Sequence, residues 1–228
     1  MTLTVHHLQV SQSERIVWLC EELGIPYDLK VYQRSPARAP PEYKALHPQG
    51  TAPVITDGDL TLAESGAIIE YICHKYANGK LFLPPNHPNY TDFLFWWHWG
   101  NASFFSNMVL LRAGGDPIYV GSAEERFEKA LKMLDDRLLG NQWLAGEDFT
   151  VADIMIVFAF TTMRHAFPYN LKSYPNIVNY LGRIGGRKAY QSAMEKSDPG
   201  LELPLGPSPP QSGSVPAVPQ KCSINQDS

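Results

Sequence analysis

Two short runs carry residue types suited to holding a small peptide-like ligand: Gly50-Thr-Ala-Pro-Val-Ile55 and, shortly after it, Glu64-Ser65-Gly66. A Pro between a turn and a strand is a place where a cis X-Pro bond costs little, because the tertiary amide cuts the trans preference to about 0.5–1 kcal/mol. A cis Ala52–Pro53 bond is expected to turn the backbone of Val54 outward, leaving its N–H and C=O for an extended peptide to pair with as an added strand. Ser65 opens the run Ala67-Ile-Ile-Glu-Tyr-Ile72, whose apolar spacing is helical. The first turn of a helix leaves N–H groups unpaired, so Ser65 offers a carboxylate both its N–H and its hydroxyl. Glu64 is placed to take an ammonium group. A ligand with an amino-acid head and an extended peptide body fits both runs together. Taken singly, each also reads as an ordinary strand, turn and capped helix.

A third segment, Leu8-Gln-Val-Ser-Gln-Ser-Glu-Arg15, carries two hydroxyls just ahead of a helical pattern. Ser11 or Ser13 can serve there as an N-cap, or as a donor to an anion aided by the positive end of the helix.

The elements that position these residues follow from periodicity. Leu3–Leu8 reads as a strand and Ser13–Leu23 as a helix, with Ile16, Leu19, Cys20 and Leu23 on one stripe. Gly24 and Pro26 stop that helix. Tyr27–Tyr32 alternates as a second strand, so a parallel pair with a right-handed crossover is expected. Residues 33–48 form a Pro- and Arg-rich loop ending in a short helix near Glu42–Leu46. Val54-Ile55 and Leu60–Leu62 flank Asp57-Gly58-Asp59 as a hairpin, and a helix from Ser65 to about Tyr76 follows.

After a turn-rich linker the chain turns helical from Thr91, with Phe93, Trp97, Gly100, Phe104, Met108 and Leu111 at three- and four-residue steps. Ala123–Leu139 is a second long helix with Phe127, Leu131, Leu134 and Leu138 inward. Thr150 reads as an N-cap with Asp153 as its capping-box partner, and Phe149 and Ile154 as a hydrophobic staple.

At 228 residues the chain can hold one large core or two small ones. A net charge of −4 argues against nucleic acid or an anionic membrane as the main partner. No apolar run approaches the length of a membrane span, and the start lacks the layout of a secretory signal. Three widely spaced cysteines, Cys20, Cys73 and Cys222, support neither zinc nor a disulfide framework, so no metal and a reducing cytoplasm are expected. The stretch from Asp198 is rich in Pro and Ser and has little to bury; it is expected to be disordered or to drape over a surface.

Gly50-Thr-Ala-Pro53 followed by Leu62-Ala-Glu-Ser-Gly66-Ala-Ile-Ile-Glu-Tyr71 resembles the glutathione-binding core of the cytosolic glutathione transferases. The Thr150–Ile154 cap, Tyr174–Leu181 and Ala189–Met194 are similar to elements of that family's C-terminal half. The resemblance implies an α/β thioredoxin-like N-terminal domain (1–78), a linker (79–90) and an all-α C-terminal domain (91–197), ahead of the tail (198–228). It implies a homodimer that uses glutathione as co-substrate and an apolar electrophilic small molecule as acceptor, in detoxification or secondary metabolism. Two alternatives stay open: a biosynthetic enzyme that adds glutathione to, or isomerises, one metabolite, and a glutathione-binding interaction protein with little turnover.

The loop before the first helix resembles the S-x-S-x-R form of bacterial and fungal members. By that likeness Ser11 takes the catalytic position, Ser13 a position often held by proline, and Gln12 one where many relatives carry arginine. Ser11 would donate a hydrogen bond to the glutathione thiolate. A free thiol, with a pKa of about 8.5, is only a few per cent ionised at neutral pH, and each unit of lowering requires about 1.4 kcal/mol. Thr51, Pro53 and Val54 would run along the peptide, Glu64 and Ser65 would hold the γ-glutamyl head, and Arg38 the glycyl carboxylate. The electrophile is expected against Asn101, Phe104, Phe105, Met108 and Arg112. His6 and His7 carry no signal separable from packing.

Overall fold

The computed structural model describes residues 2–35, 37–114 and 116–210. Four strands, β1 (Thr4–Leu8), β2 (Asp28–Tyr32), β3 (Val54–Asp57) and β4 (Leu60–Ala63), form one sheet in the order β2-β1-β3-β4. The β1–β2 pair is parallel, joined through helix α1 (Glu14–Leu23); β3 runs antiparallel to both β1 and β4. Gly24 ends α1 at φ 63°, where its N–H reaches back to the carbonyls of Cys20 and Glu21. The short helix α2 (Pro41–Lys44) buries Tyr43 against Leu8, Val54 and Ala63. Helix α3 (Ser65–Ala77) is clamped to the end of β3 by Asp57, which accepts from Tyr71 (2.8 Å), Lys75 (2.8 Å) and Tyr76 (2.5 Å). Those donors draw the Asp57 carboxyl down to about 2.

The helical part begins with α4 (Tyr90–His98), which passes into a π-helical stretch, Trp99–Phe105, before α5 (Ser106–Ala113) resumes normal winding. Gly100 of this stretch faces α7 (Val151–Phe160), where a Cβ would lie in ordinary contact, 3.5 Å from Ile156. Between them in sequence runs α6 (Pro117–Leu139), with Phe127, Leu131, Leu134 and Leu138 buried as the spacing predicts. Helix α7 is buried along its whole length. Its cap is the expected box: Thr150 accepts from Ala152 N–H, and Asp153 accepts from Thr150 N–H at 2.9 Å. Asp153 also takes the Leu144 N–H and the Tyr180 hydroxyl, so it braces the surrounding loop as well.

Helices α8 (Met163–Ala166), α9 (Pro175–Gly185) and α10 (Lys188–Ser197) close the core. Helix α10 packs against α1, where Arg187 makes a two-pronged ion pair with Glu22 at 2.6 and 2.7 Å. Beyond α10 the chain does not hang loose as far as residue 210. Leu201, Leu203 and Leu205 pack on the core, and the buried guanidinium of Arg164 donates to the carbonyls of Pro204, Gly206 and Pro207. Of the two expectations for this stretch, draping is the one its first part follows; residues 211–228, Cys222 among them, lie outside the described residues. Among the described residues no helix is long and apolar enough to cross a membrane.

Candidate active site

A cleft of about 280 Å³ opens between the sheet domain and the π-helical stretch. One wall is Thr51, Ala52 and Pro53 with Glu64 and Ser65; the facing wall is Asn101, Phe105 and Ser106. Gln12 and Gln49 complete its lining. The Ala52–Pro53 peptide is cis, and Gly50 before it sits at φ 63°, a left-handed turn that glycine adopts without strain. Glu64 holds φ 75°, ψ 120°, uncommon for a residue with a side chain, and is steadied by Gln49, which donates to its carboxylate at 2.6 Å. Ser65 then starts α3 with its first-turn N–H facing the cleft end of the helix.

Under the floor lies Arg15, 1% exposed. Its guanidinium donates to Gln12 (2.6 Å) and to the Ser65 hydroxyl (3.3 Å), and stacks over Phe105 and Phe158 at 5.5 and 5.2 Å. One residue back, the buried Glu14 accepts from Thr162 at 2.5 Å. Burial raises the Glu14 carboxyl to about 8 and lowers the Arg15 guanidinium to about 10. Arg15 thus joins the two walls and sets a positive charge beneath Ser65.

The β1–α1 loop is anchored by three hydrogen bonds from two side chains. Arg34 donates to the carbonyls of Gln9 (2.9 Å) and Val10 (2.8 Å), and Asp198 accepts the Val10 N–H at 2.9 Å. Ser11 is 7% exposed, beside Gln12 of the lining but not itself part of it. Its hydroxyl lies 2.8 Å from that of Ser13. Ser13 is fully buried and makes no capping bond; its oxygen accepts the Leu8 N–H at 3.0 Å and meets His7 Nδ1 at 2.9 Å. His7 Nε2 in turn meets Asp198 at 3.1 Å.

The structure therefore brings Thr51, Pro53, Glu64, Ser65, Asn101 and Phe105 to one cleft and distributes the remaining expected residues elsewhere. Val54 lies opposite His6 on β1 and Ala63 on β4, inside the sheet, and does not line the cleft, whereas Thr51, Ala52 and Pro53 just before it do. Ser13 faces inward and cannot reach a ligand. Phe104 is 2% exposed, stacks on Phe160 and Phe127 at 5.2 and 5.7 Å, and lines a second, larger cavity rather than the cleft, while Met108 is wholly buried in the core. Both phenylalanines lie in the π-helical stretch, where Phe104 is buried and Phe105 faces the cleft. Arg38 is exposed on its loop, where the neighbouring Arg34 does the anchoring, and Arg112 is exposed near the end of α5. The larger cavity, about 600 Å³, lies on the far side between the π stretch, α5 and α6, and meets the cleft at Ser106.

Gln49 and Ser106, which line the cleft, and Arg15, which lies beneath it, are residues that sequence reasoning missed. Arg15 lay in the quoted S-x-S-x-R run, and a buried cation beside an expected carboxylate site was the signal available. Nothing local marked His7 or Asp198.

A mixed four-stranded sheet with a cis-Pro ahead of its third strand, followed by an all-helical half, is the thioredoxin-like fold joined to a helical domain. The chain matches the family described as glutathione S-transferase, N-terminal domain, over residues 11–75, and the glutathione S-transferase, C-terminal domain, over residues 103–188. It is 32% identical over 214 residues to glutathione S-transferase 3 of Schizosaccharomyces pombe, covering 85% of this chain and 87% of the relative. A glutathione S-transferase from Actinobacillus pleuropneumoniae superposes with a TM-score of 0.80 at 36% identity, covering 88% of this chain and 95% of that one. A theta-class glutathione S-transferase from Xanthomonas axonopodis pv. citri, solved with glutathione bound, gives 0.65 at 25% identity over 84% and 96% of the two chains. The chain belongs to the glutathione S-transferase family.

Proposed function

We propose that the cleft binds glutathione and that the enzyme joins its sulfur to an apolar electrophile. The observation that carries this is the assembly of Thr51–Pro53, Glu64 and Ser65 on one wall, facing Asn101 and Phe105 on the other. In this reading Glu64 takes the γ-glutamyl ammonium, and Ser65 takes the carboxylate with N–H and hydroxyl, supported by the Arg15 charge below. The backbone of residues 51–53 pairs with the cysteinyl unit, and Ser11 donates to the sulfur. The acceptor enters beside Asn101, Phe105 and Ser106.

Thiolate formation, not peptide binding, is the chemical task, and a hydroxyl donor with a helix terminus behind it acts on the ionised form. The protein is further proposed to act as a homodimer, with Phe95 of α4, 48% exposed, in the contact. A cytoplasmic setting suits the two buried free thiols, Cys20 and Cys73.

Titrating glutathione into the protein while following thiolate absorbance in the ultraviolet tests the reading. Saturable binding with thiolate formed near neutral pH, and loss of that thiolate in Ser11→Ala without loss of binding, is the expected result. Saturable binding with no turnover of any activated aryl halide or enone would assign the chain to binding alone.

A further inference from the structure

We propose that His7 receives the thiol proton of bound glutathione through Ser13 and Ser11, and that Asp198 holds the histidine in the state able to receive it. The proposal rests on the glutathione reading above and deepens it. Asp198, His7, Ser13 and Ser11 form one unbroken line of polar contacts, at 3.1, 2.9 and 2.8 Å in that order. All four side chains are nearly or fully withdrawn from water. Ser11, at 7% exposure, is the least buried of the four and adjoins Gln12 of the cleft lining.

The carboxylate fixes the direction of the line. Facing Asp198, the Nε2 of His7 carries the proton, which leaves the Nδ1 lone pair toward the Ser13 hydroxyl. The same tautomer logic governs a serine–histidine–aspartate triad. Here a second serine is inserted between the first and the sulfur. Ser13 is oriented by the Leu8 N–H, and it stands at the head of α1 without using its hydroxyl as a cap.

The step balances. The S–H bond of glutathione breaks and its proton passes to Ser11 Oγ; the Ser11 proton passes to Ser13 Oγ, and the Ser13 proton to His7 Nδ1. Each serine ends with one proton, as it began. A neutral thiol and a neutral imidazole become a thiolate and an imidazolium, with no change in total charge. The imidazolium lies against the Asp198 carboxylate, which lowers the cost of holding it in a buried site. When the S–C bond has formed, the proton returns along the same hydroxyls to solvent. The other charged groups near the line are Glu14 on α1, whose ionisation Asp198 opposes, and Arg34 after β2, whose charge Asp198 favours. His7 touches no substrate and is a positioning residue that stores a proton.

The distinguishing measurement is where the proton goes. Glutathione is titrated into the full chain in two buffers of different ionisation enthalpy, giving the number of protons released, while ultraviolet absorbance gives the thiolate formed. The wild type is expected to form thiolate near pH 7 and release well under half a proton for each. In His7→Gln, in the near-isosteric Asp198→Asn and in Ser13→Ala, thiolate should appear only at a pH about one unit higher, a tenfold change in its equilibrium. Each thiolate should then be matched by one proton released, with glutathione affinity within about threefold. A purely structural role for the line would leave proton count and thiolate titration as in wild type. Wild-type protein that releases a full proton per thiolate overturns the proposal by itself, whether or not the variants fold. Wild-type protein that does not bind glutathione overturns the reading of the cleft, and the relay with it.

Discussion

The two walls of the cleft are built by opposite means. The wall from the sheet domain is made by local backbone geometry: a left-handed Gly50, a cis Ala52–Pro53 bond and a positive φ at Glu64. Its binding groups are largely main chain, or the side chains of Glu64 and Ser65, steadied by Gln49 and Arg15. The wall from the helical domain is made by side chains on a continuous rod, and its composition depends on how Trp99–Phe105 is wound. Phe105 lines the cleft there, while Phe104, one residue earlier, is buried. The first wall is therefore suited to an invariant partner and the second to a variable one. Arg15 is a buried group in contact with both, through Ser65 and through Phe105.

Removing that shared group should have the largest effect. Arg15→Ala is expected to lose about 2–4 kcal/mol from the missing packing, hydrogen bonds and ring stacking. For a chain of this size each kcal/mol shifts Tm by roughly 2–4 °C, and a thermal melt showing a shift under about 2 °C would sink the idea of a shared brace.

Next come the polar residues of the first wall. Glu64→Ala and Ser65→Ala should each raise KM for glutathione about tenfold, roughly 1.4 kcal/mol, with kcat nearly unchanged, because the head group is held alike in ground and transition states. A fall in kcat at constant KM, seen in steady-state kinetics, would move these residues to the reacting sulfur.

The buried acid beside Arg15 predicts a smaller, pH-dependent effect. Burial raises the Glu14 carboxyl from its ordinary 4.5 to about 8, so the folded state favours its protonated form. That contribution is present below the ordinary value and is lost as pH rises toward 8. Melting curves from pH 5 to 8 should show wild type losing about 3 °C or more relative to Glu14→Gln, on the order of one kcal/mol. Parallel curves would place the charge of Glu14 elsewhere.

The second wall should give the smallest change, and one restricted to the acceptor. Phe105→Leu is expected to alter KM for an aryl acceptor about threefold, near 0.6 kcal/mol, and to leave KM for glutathione as it was. A larger effect on glutathione than on acceptor would erase the distinction between the walls.

These walls also differed in how far the sequence disclosed them. The turn, the cis bond, the hairpin, the start of α3 and the Thr150 cap were all legible, because each is written within a few consecutive residues. The helical wall was read with a uniform period from Thr91, so Phe104 and Met108 were assigned to the cleft along with Phe105. The π-helical stretch has no spacing signature of its own in the sequence. Ser13 was read as a ligand residue or a cap and is neither, since its partners are His7, Leu8 and Ser11. The contact between His7 and Asp198 spans almost the whole chain, and no local pattern encodes it.

That span has a consequence for the order in which the molecule is made. Synthesis delivers the N-terminal half first, and domains generally fold as they emerge. Strand β1, helix α1 and the cleft's polar wall are all available early. The carboxylate that holds the Val10 N–H and faces His7 arrives only with residue 198, after α10 has been laid against α1. A nascent chain can thus possess a complete peptide-binding wall while its serine loop still lacks one of its three anchors. The loop is finished late, by a residue that lies beyond the last helix of the core.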